Sequence, residues 1–71
     1  MASLRVQFGR HLRKMRRIRD MTQEQFSESI GISVDFLSLM ERGINAPSFE
    51  TLERIAAVLK VKVCDLFDFR T

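Results

Sequence analysis

Apolar residues near the start of the chain recur at steps of four and three. The series is Leu4, Phe8, Leu12, Met15 and then Ile18 or Arg19. This spacing places them on one face of a helix. The pattern predicts a long first helix from Ser3 or Leu4 to about Arg19, with a polar and basic face toward solvent.

Two shorter helices are predicted next, with only three residues between them. Thr22 is a favourable N-cap, and Gln25 three residues later completes a capping box. Gly31 suits the left-handed position that ends a helix, and Ser33 can cap the following helix up to Gly43. Two helices joined so closely must cross steeply. The segment from Thr22 to Gly43 therefore predicts a helix-turn-helix, whose second helix can project into a DNA major groove.

The remaining chain carries two further helix signals. Pro47 disfavours helix in the preceding residues, so Ile44 to Pro47 is predicted to be a loop. Ser48 then caps a fourth helix over residues 48–60, and a short final helix is predicted over residues 63–67. These two helices complete the core, and we expect them to contribute to a dimer contact.

Together these signals predict an all-α protein with five helices and no sheet. With 71 residues, the chain is interpreted as one domain over residues 1–71. A domain of this size buries only about 60% of its unfolded surface, so dimerisation would supplement its stability. The predicted core residues are Phe8, Leu12, Phe26, Leu37, Met40, Phe49, Leu52, Ile55, Leu59 and Leu66.

The net charge of +3 conceals a strong asymmetry along the chain. Residues 1–19 contain seven basic residues and no acidic one, whereas the rest contain five basic and nine acidic residues. A basic segment taken alone is typical of a solvated helix face. Beside a helix-turn-helix, it favours contact with DNA phosphates.

Several function classes are disfavoured by composition. No apolar run approaches the roughly 20 residues of a membrane span, and no signal peptide is apparent, so we expect a cytoplasmic, nucleoid-associated protein. One cysteine, Cys64, and one histidine, His11, provide no zinc-site spacing. No nucleophile and base pair or carboxylate dyad is recognisable. We therefore expect no enzyme activity, metal, cofactor or small-molecule effector.

The motif words MTQEQF, SIGIS, FLSLMERG, PSFETLERIAAVLKV and DLF span roughly Leu12 to Phe67. With them the chain resembles the lambda-repressor-like (Xre/Cro-type) helix-turn-helix regulators of bacteria and phages. The resemblance implies a compact five-helix fold and sequence-specific binding to double-stranded DNA. Small members include restriction-modification controller proteins, phage Cro-like switches and antitoxins, and the sequence does not choose among them.

The resemblance also implies roles for individual residues. The implied base-reading residues are Val34, Asp35, Ser38 and Leu39. The implied phosphate-binding residues are Gln23, Ser33, Phe36, Arg42 and Asn45. Arg16 and Glu41 correspond to a structural ion pair of the family.

Some positions depart from the family pattern. Val34 and Leu39 stand where long polar side chains are usual, and they cannot donate hydrogen bonds. They can contact a thymine methyl group, while Asp35 can accept from a cytosine amino group. The alternative is that Leu39 packs against Phe36 or helix 2 and adds no specificity. Asp20 replaces a frequent glycine after the first helix.

We therefore interpret the protein as a homodimeric transcriptional regulator that places its third helix in the major groove of a near-palindromic operator. Val63, Phe67 and Phe69 are the predicted dimer contact. The alternative is a protein-interaction module or antitoxin-like partner that docks through the apolar Val34, Phe36 and Leu39. The basic first helix argues against that alternative, because it is poorly explained without nucleic acid.

Overall fold

A serine or threonine side chain begins each of the four α-helices. The computed structural model describes residues 2–70. The helices are α1 (Leu4–Ile18), α2 (Gln23–Ile30), α3 (Val34–Glu41) and α4 (Phe49–Leu59). The caps Ser3, Thr22, Ser33 and Ser48 each accept a hydrogen bond from the backbone N–H three residues later. These bonds satisfy amides that would otherwise lack a partner, which is why local sequence predicts the helix starts well.

The last helical element corrects the prediction of five α-helices. Val63–Phe67 forms a 3-10 helix rather than an α-helix. Lys62 precedes it and has no side-chain oxygen to cap the helix start. Instead, the Asp65 carboxylate Oδ2 accepts from the Lys62 backbone N–H at 2.9 Å. Residues 2–70 are thus four α-helices and one 3-10 turn, with no strand among them, and none of these helices has the length and hydropathy to cross a bilayer.

The core is formed mainly by the residues that the sequence predicts. Nine of the ten predicted core side chains are buried, and Met15, Ile30 and Ala56 join them. Phe49 is the exception, because its side chain is 82% exposed. Ile55 and Leu59 lie fully inside, whereas Leu52 is already at the edge of the core with 8% exposed. The apolar face of α4 therefore extends one turn beyond the core, and Phe49 occupies that turn.

Gly9 permits a close contact between α1 and α3 that the sequence did not predict. A Cβ atom on Gly9 would overlap the carbonyl oxygen of Met40 and would lie 2.8 Å from that of Glu41. Real side chains do not tolerate these separations, so only glycine allows the two helix backbones to approach this far. The C-terminal end of α3 thus rests directly on α1.

The turn between α2 and α3 depends on a left-handed residue. Gly31 has φ 84°, and its N–H donates to the carbonyl oxygens of Ser27 and Glu28. The Ile32 N–H also donates to Ser27 at 3.0 Å, so the last carbonyls of α2 are satisfied. After α1, Asp20 adopts φ 55° at the position where the family often has glycine. Asp tolerates this region better than most residues, which preserves the exit from α1.

We predict that Gly9→Ala destabilises the protein by about 1 to 2 kcal/mol. Alanine favours a helix interior over glycine by roughly 0.5 to 1 kcal/mol. The new methyl group meets backbone atoms that cannot rotate away, and overpacking typically costs about 1 to 3 kcal/mol. Thermal unfolding should show a decrease in Tm of roughly 4 to 16 °C.

Arg13→Ala on the exposed face of α1 is the matched control, and we expect it to change stability by less than about 0.5 kcal/mol. A Gly9→Ala variant as stable as the wild type would show that α1 and α3 do not require this approach.

Candidate nucleic-acid interface

The solvent-facing side of α3 holds all four residues that the sequence predicts to read DNA bases. They are Val34, Asp35, Ser38 and Leu39. Leu37 and Met40 lie on the opposite side of the helix and are fully buried. Val34 and Asp35 are exposed in the first turn, whereas the other two are half-buried one turn later. The most accessible part of this face is therefore the N-terminal turn of α3.

Three of the predicted phosphate-binding residues already have partners within the protein. Gln23 Nε2 donates to Glu41 Oε1 at 3.1 Å. The Ser33 hydroxyl accepts from the Phe36 N–H at 3.0 Å. The Phe36 ring is half-buried and contacts the core. Ser33 and Phe36 thus fix the start of α3, and Gln23 links the start of α2 to the end of α3.

The other two predicted phosphate-binding residues follow α3. Arg42 is its C-cap and is exposed. Asn45 is half-buried in the loop that leads to α4. An exposed guanidinium can bind a phosphate oxygen through charge-assisted hydrogen bonds, so Arg42 is the better placed of the two for strong contact.

A buried ion pair holds α1 and α3 together behind this surface. Arg16 Nε donates to Glu41 Oε2 at 2.7 Å, and Arg16 Nη2 donates to Glu41 Oε1 at 3.0 Å. The remaining guanidinium nitrogen, Nη1, donates to the Met21 carbonyl oxygen at 2.7 Å. With Gln23 also donating to Glu41, the buried carboxylate accepts three hydrogen bonds. We refer to Arg16, Glu41, Gln23 and Met21 as the Arg16 cluster.

Basic side chains form a stripe on the outer side of α1. Arg10, Arg13, Lys14 and Arg17 are exposed, and they lie opposite the buried face of the helix. Positive charge concentrated in this way raises the local concentration of a polyanion such as DNA. Arg19 is less available, because its Nη2 donates to the Leu59 carbonyl oxygen at 2.8 Å.

The three predicted dimer residues differ in their surroundings. Val63 is exposed at the start of the 3-10 helix. Phe67 stacks on Phe8 with ring centroids 5.1 Å apart. Phe69 meets His11 edge to face at 5.7 Å. Both phenylalanine rings are half-buried against α1, so they contribute to the stability of the single subunit whatever else they contact.

Comparison with known proteins defines the family. A profile described as helix-turn-helix matches residues 12–66. The chain belongs to the helix-turn-helix family. The uncharacterized HTH-type transcriptional regulator YazB of Bacillus subtilis is 37% identical over 59 residues, which cover 83% of this chain and 86% of YazB. Control protein C.MunI of Mycoplasma sp is 32% identical and covers 94% of this chain and 92% of its own length.

A solved structure gives the same answer for the fold. The restriction-modification controller protein C.AhdI from Aeromonas hydrophila superposes with a TM-score of 0.84 at 27% identity, covering 87% of this chain and 94% of C.AhdI. The resemblance to Xre-type regulators is thereby confirmed. Helix-turn-helix proteins of this family regulate transcription by binding DNA and are not enzymes, and this protein has that function.

Two features near the helix-turn-helix were not predicted from the sequence. Gly9 carries no local signal, since its role depends on carbonyl groups of α3. The exposure of Phe49 was missed because spacing alone does not show where the core ends.

Among residues 2–70, no three histidine, cysteine, aspartate or glutamate side chains are grouped so as to hold a metal ion.

We predict that Glu41→Ala lowers the free energy of unfolding by about 3 to 5 kcal/mol, because it leaves the buried Arg16 charge without its partner. Urea unfolding near neutral pH measures the effect. The double variant Arg16→Met/Glu41→Leu should lose less than Glu41→Ala alone, since it strands no charge.

Glu28→Ala, on the exposed side of α2, is the control and should cost no more than about 0.5 kcal/mol. If Glu41→Ala costs no more than this control, the Arg16 cluster does not hold the helices together.

Proposed function

We propose that the protein binds a near-palindromic operator as a homodimer, with α3 of each subunit in successive major grooves. Half-sites would then lie about 34 Å apart along the DNA. It acts in the cytoplasm on nucleoid DNA, and its regulatory output depends on its concentration and on operator arrangement. Similarity to C.MunI makes a restriction-modification controller one context for this function. A phage-type switch or an antitoxin partner fits the same geometry.

One observation carries the proposal: α3 is fixed at both ends while its outer face is left open. The Arg16 cluster holds its C-terminal residue, Glu41. At the other end, Gly31 and the Ser33 cap set the angle between α2 and α3. A helix held in this way is already ordered before it enters a groove, so little ordering cost accompanies binding.

The side chains on the outer face of α3 suit particular contacts with base edges in the major groove. Asp35 lies in the first turn of α3, where recognition helices contact base edges. A carboxylate accepts from the amino group of cytosine, so Asp35 is expected to favour a C·G pair. Val34 is exposed beside it and can contact a thymine methyl group. Arg42 provides a phosphate contact that is independent of sequence.

The outer face of α3 exposes less apolar surface to a protein partner than the sequence suggests. Phe36 contacts the core, which leaves Val34 and the half-buried Leu39 as apolar residues on the α3 face. The exposed basic stripe, on the side of α1 away from α3, favours a polyanion as a partner of the whole subunit. Salt dependence separates the two. DNA binding should weaken with a log-log slope of about −0.9 per phosphate neutralised, whereas apolar docking should depend little on salt.

We predict that Asp35→Ala changes which DNA sequence is preferred, whereas Arg42→Ala weakens binding to all sequences alike. Loss of the Asp35 contact should remove about 1 to 3 kcal/mol of discrimination at one base pair. Loss of the Arg42 contact should reduce the salt slope by about 0.9. Selection from random DNA, followed by anisotropy titrations between about 50 and about 200 mM salt, measures both effects.

Ser29→Ala near the end of α2 is the control. We expect its DNA sequence preference and the salt slope of its DNA binding to match those of the wild type. Equal, sequence-independent losses for Asp35→Ala and Arg42→Ala would refute base reading by Asp35. No affinity of the wild type for any DNA at low salt would overturn the proposed function itself.

A further inference from the structure

Phe49 is an exposed aromatic residue that the fold of one subunit does not use. It is the first residue of α4, and 82% of its surface is accessible. Two other apolar residues are exposed at the loop that precedes α4, with Leu4 at 60% and Ile44 at 47%. Burial of a phenylalanine side chain is favourable, so an exposed one near other apolar side chains indicates a contact surface.

An apolar pocket of about 130 Å³ lies at the start of α4, where Pro47 and Leu52 on either side of Phe49 in the sequence contribute to its wall. Its lining residues are Leu4, Arg5, Phe8, Asn45, Ala46, Pro47, Leu52 and Phe67. An apolar cavity of about 150 Å³ is large enough to hold a benzene molecule. The pocket is therefore close in size to a phenyl ring, and most of its wall is aliphatic or aromatic.

The ring and the pocket lie on the same side of the molecule. Leu52, which lines the pocket, follows Phe49 by three residues on α4, so the two share a helix face. Phe49 nevertheless stays outside its own pocket, as its exposure shows. A protruding ring adjacent to a matching pocket is self-complementary under a two-fold axis, because each copy offers both parts.

We propose that a second copy of this chain covers the pocket, with Phe49 of each subunit inserted into the pocket of the other. This inference rests on the proposed homodimer and identifies its contact surface. Phe67 remains part of the contact, since it lines the pocket. Phe69 packs behind Phe67, with ring centroids 6.4 Å apart, and does not itself line the pocket.

Charge at the edge of the pocket is complementary to charge beside the ring. Arg5 is exposed and lines the pocket. Glu53 is exposed one helical turn after Phe49, on the same side of α4. Insertion of Phe49 brings Glu53 toward Arg5 of the partner subunit, and the two-fold axis forms this pair twice. A second copy therefore satisfies both the shape and the charge of the surface.

Phe49→Glu tests the proposal directly by sedimentation equilibrium without DNA. Loss of a buried aromatic anchor typically raises a dissociation constant at least about 30-fold. Since a two-fold interface contains the anchor twice, we expect an increase of about 1,000-fold. Phe49 is exposed in the subunit, so the variant should keep the wild-type circular dichroism spectrum and melting cooperativity.

Ile18→Glu is the matched control. Ile18 is 66% exposed at the far end of α1 and does not line the pocket, so its replacement should leave the dissociation constant unchanged. If Phe49→Glu dimerises as strongly as the wild type, the proposed contact surface is wrong. If Ile18→Glu dissociates the dimer as fully, the effect is not specific to the pocket, and the proposal is also overturned.

A charge exchange tests the orientation of the two subunits. Arg5→Glu and Glu53→Arg should each weaken the dimer by bringing like charges together. The double variant should recover most of the wild-type affinity, because the pair is restored with its signs reversed. Losses that simply add in the double variant would overturn the pairing of Arg5 with Glu53.

DNA binding separates this inference from the proposed function. Phe49→Glu should keep the half-site preference of the wild type while losing tight binding to the full operator. If Phe49→Glu dimerises normally and binds DNA specifically, the proposed contact surface is overturned while the proposed function stands. If the wild-type protein stays monomeric at tens of micromolar, both free and bound to DNA, the homodimer and this contact are overturned. A half-site preference of that monomer would still support base reading by α3.

Discussion

The position of the recognition helix depends on the ion pair between Arg16 and Glu41. Glu41 is the last residue of α3, where the helix dipole disfavours a negative charge. It is also buried, so its carboxylate must be compensated within the protein. Arg16 provides two hydrogen bonds to it and donates a third to Met21 just before α2. One guanidinium thus fixes the relative positions of three helices, and the orientation of the solvent-facing side of α3 follows from that arrangement.

Close approach of the helix backbones makes this ion pair possible. Gly9 allows the end of α3 to rest on α1, which brings Glu41 within reach of Arg16. Gly9 and Arg16 both lie on the side of α1 that faces α3. The opposite side of α1 carries the basic stripe, whose charges are solvated. The exposed position of the basic stripe is therefore a consequence of which side of α1 is buried.

The helices were predictable from the sequence where their cause is local. Thr22 and Gln25 form their capping box from residues three positions apart, and Gly31 adopts the left-handed conformation expected of it. Gly9 was not predictable, because the atoms that exclude a side chain belong to Met40 and Glu41, about thirty residues further along the chain. Phe49 has the spacing of a core residue. Its exposure depends on where the start of α1 and the end of the 3-10 helix lie, which no property of α4 reveals.

Gln23 belongs to the Arg16 cluster and is also a proposed phosphate contact. The resemblance to the family assigns it to a DNA phosphate, yet its side chain donates to Glu41 in the free protein. If the Gln23 side chain turned toward a phosphate, Glu41 would lose one hydrogen bond and keep the two from Arg16. Those two come from a charged donor and are the stronger ones, so the Arg16 cluster would survive the exchange. The proposed phosphate contact of Gln23 is therefore compatible with an unchanged position of α3, because both hydrogen bonds of the ion pair remain.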